Sequence, residues 1–305
     1  VASSAFQPPD ALVLGGGGIL GEAWMCALLA GVEAATGFDA RSCESFVGTS
    51  AGSIVAASLA GGARPEERLG RLPEQPQPSG VEGERASVVL TGALRLARGA
   101  AALPAAVALR SSAPGGALLR RATLSRVTPG RRSLGGLGAG VERLGVRFDG
   151  RLMVAAVDLD SGRRVMFGAA GAPPARVGEA VEASCAIPGF FRPVEIGGRR
   201  YVDGGAWSPT NMDALRAGRG KRALCLNPTG SLRPGRASPF GALGALSRAI
   251  AGVEALALER RGAHVETVSP DDAARDAMGA NLMDSGPREA VIEAGYAQGW
   301  AVGRG

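Results

Sequence analysis

DALVLGGGGILGEAWMCALLAGVEAA, residues 10–35, and CESFVGTSAGSIVAASLAGG, residues 43–62, follow one plan in immediate succession. In each, a short apolar run meets a cluster of small residues and passes into a longer apolar segment. DALVLG (10–15) reads as a buried strand, because four adjacent apolar residues stop at a glycine turn, and GEAWMCALLAGVEAA (21–35) reads as a helix. CESFVG (43–48) is a second short strand, and SAGSIVAASLAGG (50–62) a second helix closed by glycines. Two strand-turn-helix units in a row need helical crossovers between parallel strands. They predict an α/β fold with a mainly parallel central sheet.

The rest of the chain extends this plan after an interruption. Residues 63–86 hold four prolines and many charges and read as a surface excursion. Residues 86–109 and 118–144 look mostly helical, broken at Pro104, Pro114 and the TPGRR turn, so 63–145 is expected to be a helical cap inserted into one domain spanning 1–305. RLMVAAVDL (151–159) restarts the sheet and returns through RRVMFG as a hairpin. A helix from Arg176 to Cys185, a second hairpin turning at Gly197-Gly198, and a strand RALCLN (222–227) follow. The last third adds helices near 240–262 and 287–302, with HVETVS (264–269) as a strand between them.

Composition narrows the function classes. At 305 residues, 46% hydrophobic and 20% charged, the chain is long enough for a substantial core, and its 48 glycines are about twice the usual share. The net charge is +6, and residues 110–143 alone carry seven arginines against one acid, Glu142. Such a segment reads either as a solvated Arg-rich surface or as a patch for anionic lipid head groups, and since no aromatic is interleaved for base stacking a nucleic-acid partner is not expected. Cys26, Cys43, Cys185 and Cys225 have neither CxxC nor Cys/His ligand spacing, which predicts no metal site and no disulfide framework. VASSAFQPPD (1–10) lacks the basic and apolar regions of a signal peptide. The expected location is cytoplasmic, with peripheral contact at a membrane.

Gly16-x-Gly18-x-x-Gly21 has the spacing of a dinucleotide fingerprint, which needs an acid at the end of the second strand to bind a ribose hydroxyl. That strand ends instead in Gly48-Thr49-Ser50-Ala51-Gly52, and no Lys follows the glycines as a phosphate loop requires. A G-x-S-x-G between a strand and a helix is the context of a nucleophile elbow, where small flanking residues permit a sharp turn and the serine is presented at a helix N-terminus. Two bases compete for Ser50. His264, the single histidine, would complete a Ser50, Asp203, His264 triad, although HVETVS reads as alternating strand residues. Asp203, in RRYVDGG, follows a strand and precedes Gly204 and Gly205, which allow close approach of a ligand or backbone.

LGGGGILG (14–21), GTSAG (48–52) and ASCAIPGFFRPVEIGGRRYVDGG (183–205), in this order, resemble the patatin-like phospholipases. The resemblance runs from about residue 11 to 227. It implies a three-layer α/β/α domain and a lipid acyl hydrolase, a phospholipase, lysophospholipase or carboxylic-ester lipase, working without a cofactor. Carried over position by position, Ser50 is the nucleophile, Asp203 its base, and the amides of Gly16, Gly17 and Gly18 receive the oxyanion. Gly48, Gly52, Gly204 and Gly205 support the turns, and Pro188, Phe190 and Phe191 are candidates for an acyl groove. Leu20 departs from the family, which often has Arg or Lys there. The rival readings are the His264 esterase and a catalytically silent lipid-binding protein of the same fold.

Overall fold

The computed structural model describes residues 6–70, 114–216, 218–232 and 240–305. Strand β1 (Ala11–Leu14) lies inside an eight-stranded sheet, flanked by β2 (Ser45–Thr49) and β7 (Arg222–Leu226), both parallel to it. Next to β2 comes β3 (Leu152–Asp158) and next to β7 comes β8 (His264–Val268), again parallel. Beyond β3 the sheet turns antiparallel: β4 (Arg164–Phe167) and β6 (Arg199–Asp203) both pair with β3, and β5 (Val194–Ile196) pairs with β6.

The apolar runs of the inner strands are buried on both faces, which is why they read as continuous rather than alternating. Leu12, Leu14, Phe46, Leu152, Val154, Leu224 and Leu226 belong to one cluster, with Trp24 and Leu28 of α1 (Gly18–Thr36), Val55 and Leu59 of α2 (Ala51–Ala60) and Tyr296 of the C-terminal helix. Ala11, Val13, Val47, Met153, Ala223 and Cys225 belong to the other, against Ala251 and Leu258. Alternate residues of each strand thus feed different layers, giving the three-layer α/β/α arrangement. α1 is long and apolar enough to cross a membrane by length and composition, yet its residues from Ala23 to Val32 are buried in this core. It is the central helix of the fold.

Six further helices complete the described structure: α3 (Pro114–Leu124), α4 (Gly135–Glu142), α5 (Val177–Cys185), α6 (Phe240–Glu259), α7 (Asp272–Met278) and α8 (Arg288–Arg304). α1 begins three residues earlier than its sequence suggests, because Gly18 itself starts the first turn. α7 is unanticipated. It has no long apolar stripe, but Asp271 caps it by accepting the N–H of Ala274 at 2.8 Å.

The expected cap divides. The helix expected over 86–109 and most of the 63–86 excursion lie outside the described residues, while Pro65–Arg68 form a short 3-10 turn with Leu69 buried after it. α4 packs into the helical layer beside α5, and Glu142 accepts the Gly178 N–H at 2.7 Å. α3 is fixed from below by Arg120, which donates to the Gly162 carbonyl at 2.7 Å and stacks 4.1 Å from the Trp207 ring centroid.

Candidate active site

The elbow at the end of β2 is built by steric necessity. Ser50 has φ 51° and ψ −125°, one of two non-glycine residues with positive φ among the described residues. A Cβ on Gly48 would meet Ser53 Cα at 2.5 Å, and one on Gly52 would meet the Leu14 carbonyl oxygen at 2.0 Å. Only hydrogen fits on either side of Ser50, so the chain reverses tightly and the serine caps α2. A side chain held at this backbone costs on the order of 1–3 kcal/mol and persists only where its surroundings over-determine it.

Here the surroundings do. Ser50 Oγ donates to Asp203 Oδ2 at 2.7 Å, and both residues are buried, with 8% and 6% exposure. Asp203 ends β6, and its other oxygen, Oδ1, accepts the Gly205 N–H at 2.7 Å in the turn that Gly204 and Gly205 form. Gly204 can only be glycine, since a Cβ would sit 2.4 Å from the Ala155 carbonyl oxygen. Burial raises the Asp203 carboxyl to about 6, against the lowering effect of its hydrogen bonds from Ser50 and Gly205. Such a group holds a proton far more readily than an ordinary aspartate while remaining ionised at neutral pH.

The glycine loop runs beside this pair, with Gly16 close enough that its Cβ would lie 3.4 Å from Ser50 Cβ. The Gly16 N–H, however, already donates to the Pro209 carbonyl at 2.8 Å, so the expectation that it receives an oxyanion is corrected. Gly17 and Gly18 have no acceptor for their N–H groups among the described residues. They open α1, where unpaired amides and the helix dipole favour negative charge. Gly18 has φ +61°, and a Cβ on it would be 2.7 Å from the Leu282 carbonyl and 2.8 Å from Met283 Sδ.

His264 is ruled out as the partner of Ser50. It begins β8, its register partner is Arg222, and Leu14, Gly48, Leu226 and Val268 share a level four residues further along. At a rise of about 3.3 Å per residue, His264 lies roughly 15–20 Å from Ser50 along the strands. It borders instead a surface cavity of about 450 Å³ shared with Phe6, Arg222 and Glu259 at the far edge of the sheet.

Several residues of the site carry no sequence signal. Asn211, the second residue at positive φ, donates to Thr49 Oγ1 (3.1 Å), the Ser208 carbonyl (2.7 Å) and the Gly204 carbonyl (3.3 Å). It ties the end of β2 to the turn after Asp203. Buried Glu254 of α6 accepts the Met212 N–H at 2.8 Å and the Thr210 hydroxyl, anchoring the loop whose Pro209 carbonyl holds Gly16. Ser184 accepts the Ser50 N–H at 2.8 Å. Pro188 and Phe191 are half-buried and Phe190 is 61% exposed, on a rim where Arg192 N–H donates to the Arg132 carbonyl at 2.9 Å. Among the described residues no cluster of His, Cys, Asp or Glu could hold a metal ion.

The model of the family described as patatin-like phospholipase matches residues 12–216, two-thirds of the chain, and its span takes in the glycine loop, the elbow and Asp203. The chain belongs to the patatin-like phospholipase family. That membership supports hydrolysis of lipid esters. No curated protein matches it. Among solved structures, VipD from Legionella pneumophila is 15% identical over 98% of this chain and 67% of its own, with a TM-score of 0.43. The type III effector ExoU is 18% identical over 84% of this chain and 54% of its own (TM-score 0.33), and ExoU in the ExoU-SpcU complex from Pseudomonas aeruginosa 21% over 84% and 52% (TM-score 0.31). The chain spans about half the length of the ExoU chains. At these scores the family model carries the assignment. In this patatin-like chain Leu20 is fully buried and its N–H donates to the Leu282 carbonyl at 3.0 Å, so no cation stands at that position of the loop.

Proposed function

We propose that the chain is a lipid acyl hydrolase whose nucleophile is Ser50 and whose base is Asp203. The observation that carries this is the 2.7 Å hydrogen bond from Ser50 Oγ to Asp203 Oδ2 in a buried site that the single histidine does not reach. As Ser50 Oγ attacks the ester carbonyl carbon, its proton passes to Asp203 Oδ2, and the carbonyl oxygen takes the negative charge. The unpaired amides of Gly17 and Gly18 receive that oxyanion. Protonated Asp203 then gives its proton to the departing alkoxide, leaving an acyl ester on Ser50. A water, deprotonated by the same carboxylate, attacks that ester, and as the bond from the acyl carbon to Ser50 Oγ breaks Asp203 returns the proton to Oγ and the fatty acid is released. A base near 6 can accept and return a proton at neutral pH with little cost in either direction.

The surface of α3 and of the 189–192 turn supports a reading of the substrate class. In α3 one arginine is turned inward and two leucines outward: Arg120 is buried, while Leu118 and Leu119 are 60% and 56% exposed. Val127 and Phe190 continue the exposed apolar surface, and a Cβ on Gly189 would lie 3.4 Å from Val127. Arg121, Arg126, Arg131, Arg132 and Arg192, near neighbours of these residues along the chain, are exposed, and Arg132 pairs with Phe191. Exposed apolar side chains interspersed with exposed arginines suit an acyl-chain boundary below anionic head groups, so the substrate is an acyl ester, phospholipid above all, presented in a membrane or micelle. Phe190 and Phe191 then meet the acyl chain as it leaves the lipid. Replacing Ser50 by Ala should remove phospholipid and acyl-ester hydrolysis by at least about 10³-fold. Unchanged hydrolysis in that variant overturns the proposal.

A further inference from the structure

Two buried serines hold the main chain of Ser50, one at each of its backbone groups. Ser53 Oγ donates to the Ser50 carbonyl at 2.6 Å, and the Ser53 N–H donates to the same oxygen at 2.8 Å. That anchor is redundant. Ser184 Oγ accepts the Ser50 N–H at 2.8 Å, and no second acceptor for this N–H exists among the described residues. Ser184 is fully buried at the end of α5. Two residues on, the Ala186 carbonyl accepts the Asp203 N–H at 3.0 Å.

We propose that Ser184 is a positioning residue for the Ser50-Asp203 pair, acting with Ala186 as a bracket that hangs both main chains from one short stretch of α5 and its exit. The two residues come from β2 and β6, on either side of β3, and no direct strand pairing joins them. β3 and Asn211 hold the two strand ends together, and the stretch Ser184–Ala186 adds a direct hold on the backbone N–H of each member of the pair. The elbow is also the place where the backbone most needs holding, because Ser50 sits at φ 51°. Without the Ser184 acceptor its N–H is buried and unpaired, and the elbow gains by turning away to pair it. Ser50 Oγ then leaves Asp203. Since Ser184 has no exposed surface, substrate binding is untouched.

This inference rests on the reading of Ser50 as nucleophile, and the test separates the two. Steady-state hydrolysis of p-nitrophenyl butyrate, a soluble acyl ester, is measured across pH for the wild type, Ser50→Ala, Ser184→Ala, Ser184→Cys and Ser53→Ala. In Ser184→Ala, kcat is expected to fall about 10- to 100-fold, the scale of a small misplacement of reacting groups, with KM within twofold of wild type. Its acid limb should also move to higher pH, because Asp203 loses the hydrogen bond from Ser50 that favours its ionised form. Ser184→Cys leaves no cavity but offers only a weak acceptor on a slightly larger atom, so it repeats the kcat loss without the void that Ala creates. Ser53→Ala, whose backbone N–H still serves the Ser50 carbonyl, should lose less than about threefold. Wild-type kcat in both Ser184 variants, or equal losses in the Ser184 and Ser53 variants, overturns the bracket. A wild-type chain whose hydrolysis does not depend on Ser50 overturns the nucleophile reading and the bracket together.

Discussion

Ser50 and Asp203 are separated by 153 residues and joined by one 2.7 Å hydrogen bond, reached across β3, the strand that pairs with β2 on one side and β6 on the other. Ala155 stands beside Thr49 and Ala156 beside Asp203, so the small side chains of β3 set the two strand ends against each other. The strand order, rather than either motif alone, puts a hydroxyl beside a carboxylate.

Replacing Asp203 by Asn should remove the base while keeping the shape. The amide oxygen can still accept from Gly205, and its NH₂ can donate to Ser50 Oγ. Activity is expected to fall at least about 10³-fold. Stability should move the other way. A carboxyl whose folded pKa lies near 6, above its unfolded 3.8, binds its proton more tightly when folded, so its favourable contribution is complete below 3.8 and is lost as pH rises through 6. Above that the buried charge is a burden that Asn does not carry. Urea melts should find Asp203→Asn more stable than wild type at pH 8, by on the order of 1–3 kcal/mol, and the gain should vanish near pH 4.

The same carboxyl sets the pH dependence of the reaction. Because the ionised form accepts the Ser50 proton, kcat/KM on a soluble ester should rise with pH through a single step near 6 and then level off. Replacing His264 by Ala should leave that limb in place, since its ring lies at the far edge of the sheet.

How far these features are legible in the sequence differs from residue to residue. The parallel strands announce themselves because burial on both faces makes ALVL apolar throughout and puts Phe46 and Val47 side by side in SFVGT, and the glycines of GTSAG and DGG mark where backbones meet. The hairpins at 194–203 and 152–167 were equally open, each with its glycine-bearing turn. What cannot be read locally is which amide of the glycine run is free. Gly16 and Gly18 look alike in sequence, and only the Pro209 carbonyl, arriving from after β6, separates them. Ser184 is hidden for the same reason. It looks like one more small residue on a helix, and its partner lies 134 positions away.

Gly18→Ala tests the oxyanion amides and the fold at once. With φ +61° and the Leu282 carbonyl 2.7 Å from the new Cβ, the substitution should lower stability by about 1–3 kcal/mol. Displacing the Gly18 N–H should also reduce kcat by roughly 10²–10³. Thermal melting and single-turnover acylation read the two effects separately.

The exposed face of α3 can be tested without touching the dyad. Leu118→Asp with Leu119→Asp places two acids where apolar side chains are half exposed or more. Burying two leucines at an interface is worth a few kcal/mol, so sedimentation with phosphatidylglycerol vesicles should weaken at least about tenfold. The ratio of vesicle to soluble-ester hydrolysis should fall with it.

The most direct measurement of the central claim is the site and rate of covalent capture by a fluorophosphonate, read by mass spectrometry of the peptide that contains Ser50. The wild type should carry the phosphonyl group on Ser50 alone, and Asp203→Asn should take it up at least about a hundredfold more slowly. Label on another residue, or equal rates in the two proteins, would contradict a Ser50 nucleophile activated by Asp203.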